Sequence, residues 1–243
     1  LFVNLHDAGL VAMAGMDHII PGRVHHSFVF ADQDSPFLKR GRYFLAFNIG
    51  NRQRCISVAH ACHLHRIQRF GADDGQPASD FTPAAVLVPI VARAVPTLLL
   101  TQRTEHLPSH AGQVAFPGGK LEPGDVDPVA AALREAQEEI GLSSSFIQPI
   151  GFLDALRTHT GFHVDPVVAI VQPGFALALD ESEVADVFEV PLGFLMHAAN
   201  HQLKSLVREG RQRRFYAMPY RDRYIWGATA AMIKNMQLRL FPA

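Results

Sequence analysis

The most constraining feature of this 243-residue sequence is a segment with clear signals for both a helix start and a helix stop. Asp127 suits the amino-terminal cap, Pro128 suits the first helical position, and Gly141 suits the left-handed residue that ends a helix. We therefore predict a helix over Pro128–Ile140. With about 100° of rotation per residue, its apolar side chains form one stripe, made of Val129, Leu133, Ala136 and Ile140.

The same helix concentrates negative charge on its opposite side. Glu135, Glu138 and Glu139 lie within two turns, and Arg134 is the only cation near them in the sequence. Like charges at this spacing destabilise a helix by about 0.2–0.5 kcal/mol per pair. One interpretation is a solvated face, and the other is a site for a hard divalent cation such as Mg²⁺, which prefers carboxylate oxygens. The helix by itself leaves both interpretations open.

Short apolar runs on both sides of this helix predict β-strands, and the pattern favours a layered α/β fold. The runs are not separated by regularly alternating helices, so we expect a mixed rather than a purely parallel sheet. A second helix closes the chain at Gly227–Arg239. The predicted strands are Ala84–Ala92, Thr97–Thr101, Gln113–Phe116, Ile147–Leu153, Val164–Val171, Leu203–Arg208 and Arg214–Met218.

A loop with two adjacent glycines precedes the helix, in the sequence Phe116–Gly119. Backbone without side chains can approach a ligand or an ion closely. This loop is followed by the run REAQEEIGL at Arg134–Leu142, and the segment Gly119–Leu142 therefore resembles the Nudix box. That motif is a glycine, an acidic residue, then Arg-Glu-apolar-x-Glu-Glu-x-Gly-apolar. Asp125 stands where the general motif has glutamate, with one extra residue before Arg134, which argues against a role for Asp125.

The Nudix family hydrolyses nucleoside diphosphates linked to another group, with Mg²⁺ or Mn²⁺ held by glutamates of the box. The resemblance therefore implies an α/β (α+β) fold, a Nudix-like α/β/α sandwich with a mixed β-sheet. It implies that Glu135, Glu138 and Glu139 bind the metal. It also implies that Glu138, Glu139 and Arg134 act in catalysis, with Glu138 as a further ligand or the general base and Arg134 orienting a box glutamate.

The segment before the box narrows the resemblance to one subfamily. Leu99–Gly119 (LLTQRTEHLPSHAGQVAFPGG) is similar to the signature that precedes the box in coenzyme A diphosphatases, and Thr160–Val168 and Tyr224–Thr229 are similar to later segments of that group. This implies hydrolysis of coenzyme A to 3′,5′-ADP and 4′-phosphopantetheine, with substrate contacts from Arg103, Gly118 and Gly119. Hydrolysis of ADP-ribose or NADH is the alternative, and a non-catalytic binding module is a third hypothesis.

The chain divides into two parts at the polar, turn-forming segment Gly71–Asp80. We predict a Nudix hydrolase domain over residues 81–243. Residues 1–80 form an N-terminal extension of uncertain structure, and this segment need not be native to the protein. His60, Cys62, His63 and His65 in this extension match no standard paired zinc-ligand spacing, so we expect no zinc site there.

Composition limits the partners and the compartment. The formal net charge is −1, with 22 Lys and Arg against 23 Asp and Glu, so a global field that attracts nucleic acid is absent. The longest apolar run, Ala84–Ala92, is about half of what a membrane span needs. Two cysteines cannot form a disulfide framework, which favours a cytoplasmic protein. We expect a small-molecule substrate, no nucleic acid and no membrane partner, and a homodimer is possible.

Two other charged groups of residues have an ordinary structural interpretation. Glu183 lies in a polar loop and could serve as the general base, but a solvated loop is the simpler explanation. A basic run next to Gly210 could bind the 3′-phosphate of coenzyme A, but it is also typical of a solvated hairpin. The run consists of Arg208, Arg211, Arg213 and Arg214.

Overall fold

The computed structural model describes residues 44–49, 52–57, 80–208 and 210–240. In the N-terminal extension, strands β1 (Phe44–Ile49) and β2 (Arg52–Ser57) pair antiparallel as a two-stranded sheet of their own. The histidine and cysteine cluster at residues 60–65 lies outside the described residues. The domain boundary near residue 80 stays a prediction.

The predicted helix over Pro128–Ile140 is confirmed and is named α1. Asp127 is extended, and its carboxylate accepts a hydrogen bond from the Ala130 N–H at 2.8 Å. Gly141 has a φ of +67°, and its N–H donates to the carbonyls of Ala136 and Gln137. Both ends of the helix are therefore satisfied by the local sequence signals that predicted them.

The central element is a mixed sheet. Its long strands are β3 (Thr82–Val91), β4 (Thr97–Arg103), β7 (Ile147–Phe152), β9 (Phe162–Val171) and β10 (Val184–Pro191). They lie in the order β10-β4-β3-β9-β7. Strands β3 and β9 run parallel, and all other neighbours in the sheet are antiparallel. The short strands β5 (Val114–Ala115), β6 (Gly118–Lys120) and β8 (Leu156–Arg157) pair with β4, β3 and β9, respectively.

The two faces of this sheet carry two separate cores, because alternate side chains of a strand point to opposite faces. Ala85 and Leu87 belong to the core that contains Ala136 and Ile140 of helix α1. Val88, next to Leu87, belongs to the other core, which the remaining helices and a second sheet cover. The predicted fold class, an α/β/α sandwich with a mixed sheet, is confirmed.

The second sheet and the closing helices form the third layer. Helix α2 (Leu192–Met196) is followed by the antiparallel strands β11 (Gln202–Arg208), β12 (Arg211–Tyr220) and β13 (Arg223–Trp226), and then by helix α3 (Gly227–Leu240). Asp154, buried before β8, receives a 2.5 Å hydrogen bond from Asn235 Nδ2 and forms an ion pair with Arg239, and these contacts fix α3 to the main sheet. None of the helices in the described ranges has the length and the apolar character needed for a membrane crossing.

Candidate active site

The carboxylate of Glu139 lies in the interior, so a solvated face, one of the two interpretations left open by the sequence, does not apply to this residue. Glu139 is 5% exposed, and its Oε2 accepts a hydrogen bond from the Gly118 N–H at 3.1 Å. Gly118 has a φ of +155°, and a Cβ there would lie 2.4 Å from the carbonyl oxygen of Ala85. Only glycine lets β6 lie this close to β3 while its N–H points at the helix. Long-range pairing therefore buries Glu139.

The adjacent glycine makes room for the second carboxylate. A Cβ on Gly119 would lie 2.3 Å from Glu135 Oε1 and 2.5 Å from its Cδ. The backbone of β6 therefore lies directly against the Glu135 carboxylate, as it also contacts Glu139 through Gly118. Gly118, Gly119, Glu135 and Glu139, which the box sequence associates, are brought together in space.

Arg134 organises the carboxylates around it and does not point away into solvent. Its Nη1 donates to Glu135 Oε1 at 3.0 Å and to Glu138 Oε2 at 2.9 Å, and its Nη2 donates to the Lys120 carbonyl at 3.1 Å. Nη2 and Nε also donate to the two oxygens of Asp125, at 2.9 and 3.2 Å. The guanidinium lowers the pKa of Asp125, and Asp125 in turn raises the pKa of Arg134 above its usual range.

The expectation that Asp125 has no role is therefore wrong. Its carboxylate holds the arginine in the planar, two-pronged geometry that a guanidinium and a carboxylate favour. It also accepts the backbone N–H of Glu122 at 2.8 Å, so it shapes the loop before the helix. The extra residue before Arg134 does not prevent this contact, because the loop folds back toward α1.

Arg103, at the carboxyl end of β4, enters the site from the sheet. Its Nη1 lies 3.8 Å from Glu139 Oε1. Its Nε is buried and has no hydrogen-bond acceptor among the described residues. A buried N–H without an acceptor costs about 1–3 kcal/mol, so this guanidinium is suited to an anionic ligand that supplies one.

Burial and nearby negative charges raise the proton affinity of the two inner carboxylates. The pKa of Glu139 rises to about 7, chiefly through burial and further through Glu135 and Glu183, against the lowering effects of the Gly118 N–H and Arg103. Burial also raises the pKa of Glu135, against the effect of Arg134. Carboxylates that resist ionisation next to one another are typical of a functional site.

The donor set fits a hard divalent cation of the Mg²⁺ type. The available ligands are carboxylate oxygens, chiefly those of Glu135 and Glu139, beside the close backbone of Gly119. Within the described part of the chain, no three His, Cys, Asp or Glu side chains form a closed ligand group. Mg²⁺ does not need one, because it is usually held by one or two carboxylates and completes its coordination with water and substrate phosphates.

Two further acidic residues bear on the site: Glu183, for which the sequence favoured a solvated loop over a role as the base, and Asp165, which the sequence did not single out. Glu183 is exposed, as a solvated loop predicts, yet its charge raises the pKa of both Glu135 and Glu139. Asp165 lies on β9 in register with Ala85, which is itself in register with Gly119, and burial raises its pKa. Both depend on long-range pairing, and the parallel β3–β9 ladder has no local sequence signal.

The basic run lies on the predicted hairpin. Strands β11 and β12 pair antiparallel up to Arg208 and Arg211, and Gly210 between them has a φ of +72°. Arg214 is exposed on β12, in register with Ser205 of β11. The hairpin predicted from this run is confirmed, and a role in binding a 3′-phosphate stays a prediction.

A mixed sheet whose two adjacent glycines contact the glutamates of a helix defines the class of protein. Similarity to known proteins identifies the family. The NUDIX domain model matches residues 81–207. The chain is 40% identical to the uncharacterized Nudix hydrolase NudL of Escherichia coli K12, over 73% of this chain and 92% of the relative. It is 42% identical to the NudL of Yersinia pestis strain Pestoides F, over 63% and 77%, respectively.

The chain therefore belongs to the Nudix family, and it is a hydrolase that acts on a nucleoside diphosphate derivative. Among solved structures, it is similar to a binary complex of the Ap4A hydrolase of Caenorhabditis elegans, with 23% identity and a TM-score of 0.40 over 45% of this chain and 80% of that one. Nudix hydrolases use divalent metals such as Mg²⁺ or Mn²⁺.

The buried carboxylate predicts a pH-dependent cost to stability in metal-free protein. The pKa of Glu139 is about 7 in the folded chain against 4.5 for an ordinary glutamate, so the folded state loses stability as the pH rises from about 4.5 through 7. The full cost, about 3 kcal/mol, is reached above pH 7. We expect Glu139→Gln to raise the melting temperature in EDTA at pH 8, and the gain to shrink at pH 5, as measured by thermal unfolding.

The matched control for this measurement is Glu122→Gln. Glu122 is exposed and lies 3.9 Å from Arg134, so Glu122→Gln removes an exposed negative charge beside the box residues, whereas Glu139→Gln removes a buried one. Its melting temperature should follow that of the wild type at both pH values. A Glu139→Gln protein that is less stable than the wild type at pH 8 would contradict the expectation.

Proposed function

We propose that this protein hydrolyses the diphosphate of coenzyme A to 3′,5′-ADP and 4′-phosphopantetheine, with Mg²⁺ or Mn²⁺ as cofactor. The observation that supports this most directly is the position of Arg103, which belongs to the segment Leu99–Gly119 that resembles the coenzyme A diphosphatase signature. That segment ends in the glycines that contact Glu135 and Glu139, and its arginine lies 3.8 Å from Glu139. The segment that distinguishes the subfamily and the box residues therefore share one site.

In this proposal, Glu135 and Glu139 would hold the cation, with the backbone of Gly119 lying next to the Glu135 carboxylate. When bound, the cation neutralises diphosphate oxygens and favours a water nucleophile at neutral pH. The pair of inner carboxylates is suited to this role because burial and neighbouring carboxylates raise the pKa of both, and a positive ion offsets that repulsion. Glu138 is the third glutamate of the set and lies at the exposed side, 2.9 Å from Arg134.

The chain's own groups then orient the diphosphate and accept a proton. The Arg103 guanidinium, with its buried and unpaired Nε, binds a diphosphate oxygen. Water attacks one phosphorus, the bond from that phosphorus to the bridging oxygen breaks, and the bridging oxygen leaves on the other phosphate. The proton lost by the water passes to a carboxylate. Glu138 and Glu183 are the two candidates for this base, since both side chains are exposed beside the site.

Arg134 has a positioning role in this scheme. Its hydrogen bonds to Glu135, Glu138 and Asp125 set the directions of the carboxylates relative to helix α1. The five N–H donors of its guanidinium are all used in hydrogen bonds to these carboxylates and to the Lys120 carbonyl, so it orients the box glutamates and leaves the substrate to Arg103. This agrees with the role inferred for Arg134 from the box sequence.

The substrate assignment is tested by product analysis with Mg²⁺ on coenzyme A, ADP-ribose and NADH at equal concentrations. All three carry a diphosphate, so the box chemistry alone would cleave each of them. We expect kcat/KM for coenzyme A to exceed the other two by at least tenfold, equivalent to about 1.4 kcal/mol of transition-state binding, with 3′,5′-ADP as the product. Faster cleavage of ADP-ribose or NADH would be consistent with the hydrolase assignment but would contradict the assignment of coenzyme A as the substrate.

A further inference from the structure

Strand β11 is an exposed apolar edge of the second sheet. It pairs with β12 on one side only, and no other described strand pairs with its second side. Leu203 and Val207, on one face, are 55% and 74% exposed, and Leu206, on the other face, is 36% exposed. An edge strand of this kind presents unpaired backbone N–H and C=O groups beside apolar side chains, which is a template for pairing with another strand.

The two edge strands of the main sheet carry backbone irregularities that hinder such pairing, whereas β11 carries none and has only the charges of Lys204 and Arg208 against it. Strand β7 contains Pro149, which lacks an N–H, and its register shifts between Pro149 and Gly151. Strand β10 has a register shift between Val184 and Asp186. Strand β11, with the sequence QLKSLVR, has neither proline nor glycine and keeps a continuous register from Gln202 to Arg208. Its free side is therefore regular along its whole length.

We propose that β11 pairs antiparallel with β11 of a second copy of this chain, with the two-fold axis at Ser205. In this register, Leu203 lies opposite Val207 of the second copy, which brings the most exposed apolar residues of the strand together on one face. A two-fold axis perpendicular to the sheet repeats this contact on both sides of Ser205, so the interface is self-complementary. The two second sheets then become one six-stranded sheet.

Charge selects this register over its neighbours. With the axis at Ser205, Lys204 lies opposite Leu206 of the second copy, and no two basic residues of β11 face each other. Moving the axis to Lys204 places the two copies of Lys204 opposite each other. Moving it to Leu206 places Lys204 opposite Arg208. Like charges directly opposite across a ladder are unfavourable, so only the register centred on Ser205 avoids them while pairing Leu203 with Val207.

The axis position gives a charge-swap test, because residue 205 faces its own copy. We expect the wild-type full-length chain to sediment at twice the chain mass at concentrations of about 100 µM, since an interface of one strand pair is weak. Ser205→Lys alone and Ser205→Glu alone should each sediment as monomers. An equimolar mixture of the two should return to twice the chain mass, because lysine then faces glutamate.

Gln148→Lys is the matched control, since Gln148 is an exposed residue of the other edge strand, β7, and this variant should remain a dimer. If the Ser205 variants do not fold, Leu203→Glu and Val207→Lys serve as the swap, because these two positions face each other. A monomeric wild type, a dimeric Ser205→Lys protein, or a mixture that stays monomeric would each overturn the proposal. Coenzyme A hydrolysis is measured separately, so the outcome does not depend on the proposed substrate.

Discussion

Glu139→Gln is expected to reduce coenzyme A hydrolysis by at least about 10³-fold while the fold is retained. Glutamine keeps the shape of the side chain and can still accept the hydrogen bond from the Gly118 N–H. It cannot supply the negative charge that pairs with Glu135 to hold a cation and that lies 3.8 Å from the Arg103 guanidinium. The loss should therefore appear in kcat with Mg²⁺ in excess, and far-ultraviolet circular dichroism should be unchanged.

The same variant gives a second, independent readout. If Glu139 is destabilising in metal-free protein, glutamine should raise the melting temperature at pH 8 while it removes activity, because the charge that catalysis needs is the charge that burial penalises. Glu122→Gln, which neutralises an exposed acid near Arg134, should keep near wild-type turnover. A Glu139→Gln enzyme with full activity would remove Glu139 from the proposed metal site.

Local signals in the sequence were sufficient for the helix that carries the site. The cap at Asp127, the proline after it and the glycine at 141 determine where α1 begins and ends without reference to the rest of the chain. The clustering of Glu135, Glu138 and Glu139 left a solvated face and a cation site both open, and the resemblance to the Nudix box favoured the cation site. The bounds of the helix depend on interactions within a few residues, which is why they could be predicted from the sequence alone.

The environment of those glutamates could not be predicted in the same way. Glu139 is buried because β6, whose two glycines precede it by about twenty residues, pairs with β3 and lies against the helix. Asp125 contacts Arg134 because the intervening loop folds back on itself. Strand β10 was not predicted as a strand, since Asp186 and Glu189 interrupt its apolar pattern. In each case a contact distant in sequence overrides the local pattern.

The two glycines of β6 make different contacts: Gly119 lies against the Glu135 side chain, and Gly118 lies against the backbone of β3. Substitutions at the two positions should therefore have different effects. Gly119→Ala is expected to lower coenzyme A hydrolysis by about 10²-fold with little loss of stability. Its Cβ would meet the carboxylate of Glu135 at 2.3 Å, and the end of that flexible side chain can swing away at small cost to the fold. A displaced Glu135 would no longer lie beside Glu139, so activity with Mg²⁺ should fall while the melting temperature stays close to that of the wild type.

Gly118→Ala, by contrast, is expected to lower the stability of the fold. Its Cβ would lie 2.4 Å from the backbone oxygen of Ala85, at a φ of +155° that alanine rarely adopts, so it should cost about 3 kcal/mol or more of unfolding free energy. Gly124→Ala, with nothing within 4 Å of its Cβ, is the control for both measurements. A Gly119→Ala enzyme with wild-type kcat and KM would show that the position of Glu135 against β6 is not needed for hydrolysis. A marked loss of stability in that variant would show instead that the carboxylate cannot move, and that the strand and the helix form one rigid unit.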